Sequence, residues 1–262
     1  MYICKEDCFL HRMKRILTGI YQLFIWLPVF LVITILTALI TTLGCLLGFE
    51  KIFAYYPGMI WSKLTCILSL CPVKVVGREK LDKNNSYIFV ANHQGAFDIF
   101  LVYGYLGRHI KWMMKKSLRK LPFVGKACES AGFIFVDNSN AKAALKSIEE
   151  AEKRLVKGVS IVLFPEGSRT KTGKLGLFKK GAYQMALDLK LPIVPITING
   201  SFEVMPIHTL LLNPHKMELI IHDPIETSGF ASEDLRQLAV NIRTLMSESK
   251  TEIESALWKQ YR

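Results

Sequence analysis

A chain of 262 residues, half of them apolar, with a formal net charge of +12 from 34 basic and 22 acidic side chains, can hold one sizeable domain and a membrane-associated segment. That balance suits a protein resting on anionic lipid; no zinc-ligand spacing, helix-turn-helix pattern or aromatic-basic RNA-binding motif points to nucleic acid, so no nucleic-acid partner is expected. The six cysteines show no repeated spacing and no Cys-x-x-Cys, and the six histidines form no i, i+4 pair, which argues against a disulfide framework and against a metal site.

From Ile16 to Phe49 the chain carries no charge for 34 positions. As one helix this run would be roughly 51 Å long, against about 30 Å for a hydrocarbon core. Pro28 lacks an N–H and crowds the preceding turn, so a break is expected there. Residues 29–49 could then span alone and residues 16–27 could not. Arg12, Lys14 and Arg15 precede the run, and Lys51 and Lys63 follow it. Basic residues on both flanks favour a hairpin or a monotopic pair of helices with both ends towards the cytosol. The run is too long for a cleaved signal peptide. Residues 57–70 read as a further helix, with Trp61 and Lys63 suited to a membrane interface. Residues 1–71 are therefore expected to be membrane-associated N-terminal helices.

After Pro72 short β-rich runs alternate with helical patterns. Strands are expected at Val73–Val76, Tyr87–Val90, Lys111–Met114, Phe133–Val136, Ser160–Phe164, Ile193–Ile198 and Met217–Ile221. Several are continuously apolar, as strands buried on both faces are. Helices are expected over 140–156, over 178–190 and from Ser232 to about Leu257, where Leu235, Leu238, Ile242 and Leu245 share a stripe and Ser232 is the candidate N-cap. Residues 72–262 thus read as a single α/β domain with a largely buried mixed sheet flanked by helices.

Three clusters carry chemistry. The first, Asn92-His93-Gln94-Gly95-Ala96-Phe97-Asp98, joins an apolar strand to a helix. On one continuous helix His93 and Asp98 would stand roughly 140° apart, but across a strand-to-helix turn they can meet. An imidazole oriented by a carboxylate at a sheet edge is a general-base arrangement. Alone, the pair also fits a surface histidine beside a capping aspartate. The second cluster, Phe164-Pro165-Glu166-Gly167-Ser168-Arg169, also starts where a buried strand ends. Its turn presents Glu166 and Arg169, and the planar Arg fork suits phosphate. It is neither a phosphate loop, since Leu175 follows Lys174, nor the Gly-x-Ser-x-Gly of a nucleophile elbow. The third, Lys115-Lys116-Ser117-Leu118-Arg119-Lys120 running on to Gly125, mixes basic and apolar residues after a strand. It suits phosphate or lipid, or a solvated loop.

Together these blocks, with Gly132-Phe133-Ile134-Phe135-Val136-Asp137 and Val194-Pro195-Ile196, resemble the glycerolipid acyltransferase family, above all the 1-acylglycerol-3-phosphate acyltransferases. The resemblance covers roughly residues 87–200, and His-x4-Asp with a downstream Pro-Glu-Gly-x-Arg is its most specific part. It implies transfer of a fatty acyl group from acyl-CoA or acyl carrier protein to the 2-hydroxyl of 1-acylglycerol-3-phosphate, giving phosphatidate. It also implies roles: His93 as base, Asp98 holding the ring, and Glu166, Gly167, Arg169 and Lys115 binding substrate, with no cofactor or metal. Membrane lipids would be partners, and the catalytic domain would sit on the cytosolic face of the cell membrane. One departure stands out. Where the family's second block usually reads Asp-Arg, Asn138 follows Asp137. Arg169 remains, and Lys115 and Lys142 are available to compensate. Another lysolipid acceptor, such as a lyso-aminolipid, therefore stays open.

Overall fold

Residues 13–136 and 158–260 are described by the structure, a computed structural model. Among them, strands form at all seven expected places: β1 (Val73–Val76), β2 (Ile88–Ala91), β3 (Ile110–Lys115), β4 (Ile134–Val136), β5 (Ser160–Leu163), β6 (Ile193–Asn199) and β7 (Met217–Ile221). They make one sheet in the order β1-β7-β6-β2-β5-β3-β4. The run from β6 to β4 is parallel, whereas β7 pairs antiparallel with β6 and parallel with β1. The sheet is therefore mixed. Central strands β2 and β5 are buried at every residue. Phe89, Ala91 and Val162 enter one core, and Ile88, Val90, Ile161 and Leu163 enter the other. With both faces covered, alternation in space leaves no alternation in hydropathy, and the strands read as unbroken apolar runs.

The helices are α1 (Met13–Leu46), α2 (Glu50–Phe53), α3 (Tyr56–Leu68), α4 (Asp98–Tyr105), α5 (Val124–Ser130), α6 (Gly181–Asp188), α7 (Ser201–Val204) and α8 (Leu235–Gln260). α1, α3 and α4 supply Trp26, Cys66, Phe100 and Leu101 to the first core. α6 and α8 supply Tyr183, Met185, Leu238, Ile242 and Met246 to the second. The helix expected over 140–156 lies outside the described residues.

Pro28 does not break the helix: α1 is continuous over 34 residues. Immediately before the proline, Gln22–Trp26 form a π turn, and the N–H of Leu27 reaches back to the carbonyl of Gln22. Pro28 falls in the first turn of the α-helical stretch that follows. The wider turn moves the carbonyl that the pyrrolidine ring would otherwise meet. A helix pair does form, but its partner is α3. Trp61 Nε1 donates to Thr34 Oγ1 at 2.9 Å, and the Tyr21 hydroxyl donates to the Leu68 carbonyl at 2.7 Å. The two helices therefore run antiparallel, with the reversal at residues 47–55. Trp61 is correspondingly packed against α1 and Phe100. α1 is long and apolar enough to cross a membrane, and its most apolar 18-residue window is only 11% buried.

Ser232 is not the cap of the last helix. It sits in the turn before Leu235, where the Asp234 carboxylate accepts the Ala231 N–H at 2.8 Å. That bond ties down the entry to α8 and delays its first helical residue.

Strands β2 and β6 are fastened beyond their ladder by a side chain. Asn92 is fully buried; its Nδ2 donates to the Ile198 carbonyl at 2.9 Å and its Oδ1 accepts the Ile198 N–H at 2.7 Å. Replacing it with alanine orphans both main-chain groups in the core. Asn92→Ala is expected to lower stability by about 2–4 kcal/mol, measured as a shift of the chemical unfolding midpoint in detergent.

Candidate active site

Because β2, β3, β5 and β6 are parallel, their C-terminal ends share one edge of the sheet. From β2 the chain passes β5 to reach β3, and from β5 it passes β2 to reach β6. The connections diverge between β2 and β5, the switch point at which open α/β sheets place their ligands. The two sequence clusters with the strongest chemical signal, at 92–98 and 164–169, are the loops that leave these two strands.

The turn after β2 brings the predicted pair together. His93 Nδ1 lies 2.7 Å from Asp98 Oδ2, with the imidazole mostly covered and the carboxylate fully buried. The same oxygen accepts the main-chain N–H groups of Gln94 (2.6 Å) and Gly95 (3.0 Å), and Asp98 Oδ1 accepts the Ser201 hydroxyl. Four donors thus face a carboxylate withdrawn from water, as a buried charge requires. An oxygen already accepting two N–H groups takes the acceptor role towards the ring as well. Nδ1 therefore carries the proton, and Nε2 is left as a free acceptor. Gly95 is needed for the close approach: a Cβ there would stand 2.4 Å from the Ser201 carbonyl oxygen. The imidazole lies flat on Phe164, centroids 4.0 Å apart and planes within 10°, and Phe164 stacks in turn on Trp112.

The turn after β5 holds His93 by its backbone. Glu166 Oε1 accepts the His93 N–H at 2.8 Å, and the Thr170 N–H donates to the His93 carbonyl at 2.9 Å. Glu166 Oε2 accepts the Gly176 N–H at 2.8 Å. Glu166, expected to bind a substrate head group, turns to the protein's own main chain here. Both of its oxygens are taken by main-chain donors, and the side chain is buried. It props the histidine instead.

A cavity of about 510 Å³ opens at His93 and runs inward between α1, α3, α4, α5 and β3. Its walls are mostly apolar, including Ile99, Leu118, Phe133 and Leu163, with Thr34, Thr37 and Thr41 along α1. Lys115, exposed at the end of β3, and Gly167, in a left-handed conformation, belong to its wall beside His93. Arg169 is half-buried two residues further on, and its guanidinium has no hydrogen-bond or ion-pair partner among the described residues. Arg119 is engaged by Glu129. The structure therefore gathers His93, Gly167 and Lys115 around one mouth, with Asp98 and Glu166 behind and Arg169 adjacent. Asn138 and Lys142 lie outside the described residues. Sequence reasoning missed Ser201 and Gly176. Ser201 had a usable signal, since Asn199-Gly200-Ser201 ends a parallel strand at this same edge; Gly176 had none beyond a glycine-rich loop.

Residues 72–199 match the model of the acyltransferase family, a stretch that includes every residue just placed at the cavity mouth. The chain is 30% identical over 182 residues to a chloroplastic 1-acyl-sn-glycerol-3-phosphate acyltransferase of Arabidopsis thaliana, covering 69% of this chain and 51% of that protein. It is 32% identical over 184 residues to the 1-acyl-sn-glycerol-3-phosphate acyltransferase of Saccharomyces cerevisiae, covering 69% of this chain and 60% of that one. The crystal structure of the 1-acyl-sn-glycerophosphate acyltransferase PlsC from Thermotoga maritima superposes with a TM-score of 0.78 at 25% identity, over 93% of this chain and 97% of that one. Residues 72–199 are thus an acyltransferase-family domain. The chain spans about half to three fifths of the length of these two curated relatives.

Burial raises the Glu166 carboxyl above the usual glutamate range, and the N–H groups of His93 and Gly176 pull it part of the way back. The folded protein therefore holds this proton more tightly than the unfolded chain does. The stability linked to that proton is fully present below the unfolded value, and it is lost as pH rises through the raised folded value. Glu166→Gln keeps the shape, cannot ionise and loses one acceptor. Unfolding free energies of both proteins between about pH 4 and about pH 7 are expected to show the wild type's advantage shrinking as pH rises.

Proposed function

We propose that this protein transfers a fatty acyl group from a thioester to the 2-hydroxyl of 1-acylglycerol-3-phosphate, giving phosphatidate. The observation that carries this reading is the free Nε2 of a carboxylate-oriented His93 at the mouth of an apolar cavity. The match of residues 72–199 to the acyltransferase family supports it, as do relatives named for this reaction. Nε2 accepts the hydroxyl proton as the oxygen attacks the thioester carbonyl. The C–S bond breaks, the proton passes from the imidazolium to the departing thiolate, and Asp98 stabilises the ring while it is charged. The attacking group is the acceptor's own hydroxyl, so no serine or cysteine nucleophile is required.

The acyl chain would lie in the cavity, which is within the usual size range of ligand sites. Arg169 and Lys115, which have no ion-pair partner among the described residues, would take the phosphate. The donor would be acyl-CoA or acyl carrier protein, both acidic and suited to a basic face. α1, whose Phe24 is 70% exposed and whose apolar surface is largely uncovered, would lie in the lipid of the cell membrane. The cavity would then open towards the bilayer and the sheet towards the cytosol.

Purified protein in detergent, given lysophosphatidate and labelled acyl-CoA or acyl carrier protein, is expected to form phosphatidate. His93→Ala should lose at least about a hundredfold in turnover; undiminished activity would remove His93 from the chemistry. Arg169→Ala should raise the acceptor KM by about tenfold, while an acceptor lacking a phosphomonoester should be used equally well by both proteins. Equal use of all acceptors by the wild type would sink the phosphate assignment.

A further inference from the structure

α8 lies beyond the stretch that matches the family, yet two of its cations reach the active-site loops. Arg243 Nε donates to the Gly176 carbonyl at 2.8 Å, and its Nη2 donates to the Leu175 carbonyl at 3.0 Å. Lys250 Nζ donates to the Gln94 side-chain oxygen at 2.8 Å and to the Gly173 carbonyl at 3.0 Å. Seven residues are two helical turns, so the two side chains leave α8 within roughly 20° of each other. Leu235, Leu238, Ile242 and Met246 anchor the neighbouring face of the helix in the second core.

The contacts connect to the histidine in a short chain. Arg243 fixes the carbonyl of Gly176, whose N–H meets Glu166, whose other oxygen meets the His93 N–H. Gly176 admits this close approach, since a Cβ there would lie 2.7 Å from Glu166 Oε2. Lys250 fixes Gln94, whose N–H meets the same Asp98 oxygen that orients the ring. We propose that α8 clamps the catalytic turn from outside, with Arg243 and Lys250 as positioning residues that hold His93 through Glu166 and Gln94. Neither side chain touches the reacting atoms. Their effect is on where Nε2 stands relative to the acceptor hydroxyl, a placement to which rates are steeply sensitive. The kinetic side of this proposal rests on His93 being the base.

The test combines turnover with amide hydrogen exchange in full-length Arg243→Ala, Arg243→Lys and Lys250→Met, with Gln237→Ala on the exposed side of α8 as control. In Arg243→Ala the amides of His93 and Gly176 should exchange at least about tenfold faster while those within β2 and β5 stay unchanged. Its kcat should fall roughly ten- to a hundredfold with the acceptor KM within about twofold. Arg243→Lys should recover part of the protection and part of the rate, because one cation reaches one of two carbonyls. Lys250→Met should lower kcat in the same pattern, and the control should match wild type. Unchanged exchange at His93 and Gly176 would overturn the clamp. So would faster exchange throughout the sheet, with kcat tracking only the folded fraction. A wild type that acylates nothing would sink the proposed function, and the exchange arm would still decide the clamp.

Discussion

A carboxylate with no access to water has to be supplied with donors, and the C-terminal edge of this sheet is arranged around that requirement. Asp98 receives the imidazole, two main-chain N–H groups from the turn beneath it, and a hydroxyl that arrives from the end of β6. Three of these donors are fixed by the five-residue spacing of the turn itself. The fourth needs β6 to lie beside β2, so the charge is fully compensated only when the sheet is correctly assembled. Asn92, next to the histidine, enforces that same neighbour relation through Ile198. The group that orients His93 is thus satisfied by the strand pairing that defines the fold.

The same logic places the second carboxylate. Glu166 is acidic and buried near Asp98, a position that looks unfavourable for two negative charges, and burial together with that neighbour raises its pKa. The main-chain dipoles of His93 and Gly176 make it tolerable. A side chain that reads in sequence as a candidate ligand for substrate is, in space, a brace between two loops. The cations at the mouth are thereby left without a neighbouring carboxylate whose free lone pairs would have worked against an anion there.

Much of this could be read before any coordinates. The seven strands were legible because burial on both faces writes a continuous apolar signature. His93 and Asp98 were legible because their partnership is local. What escaped was whatever acts over long separations or through the main chain. Ser201 stands 103 positions from Asp98, and Lys250 stands 156 positions from Gln94. A serine after a glycine at a strand end marks the edge but not the oxygen it will meet, and a lysine on an amphipathic helix marks neither. Pro28 misled for a different reason: the proline rule presumes a regular ladder, and the π turn before it had already altered the ladder.

That π turn has a geometric consequence for the long N-terminal helix. An extra residue in one turn rotates everything after it by about 100° relative to everything before. The first part of α1 uses Tyr21 and Gln22 to dock on Leu68 and on the loop at Leu210–Leu212. The part after the turn offers Thr34, Thr37 and Thr41 to the cavity. In a helix of uniform phase, a docking stripe and a cavity wall separated by these intervals would point in different directions from the ones they now take. The bulge works as an angular spacer, setting the orientation of the cavity wall independently of the surface by which the helix is fastened to the domain.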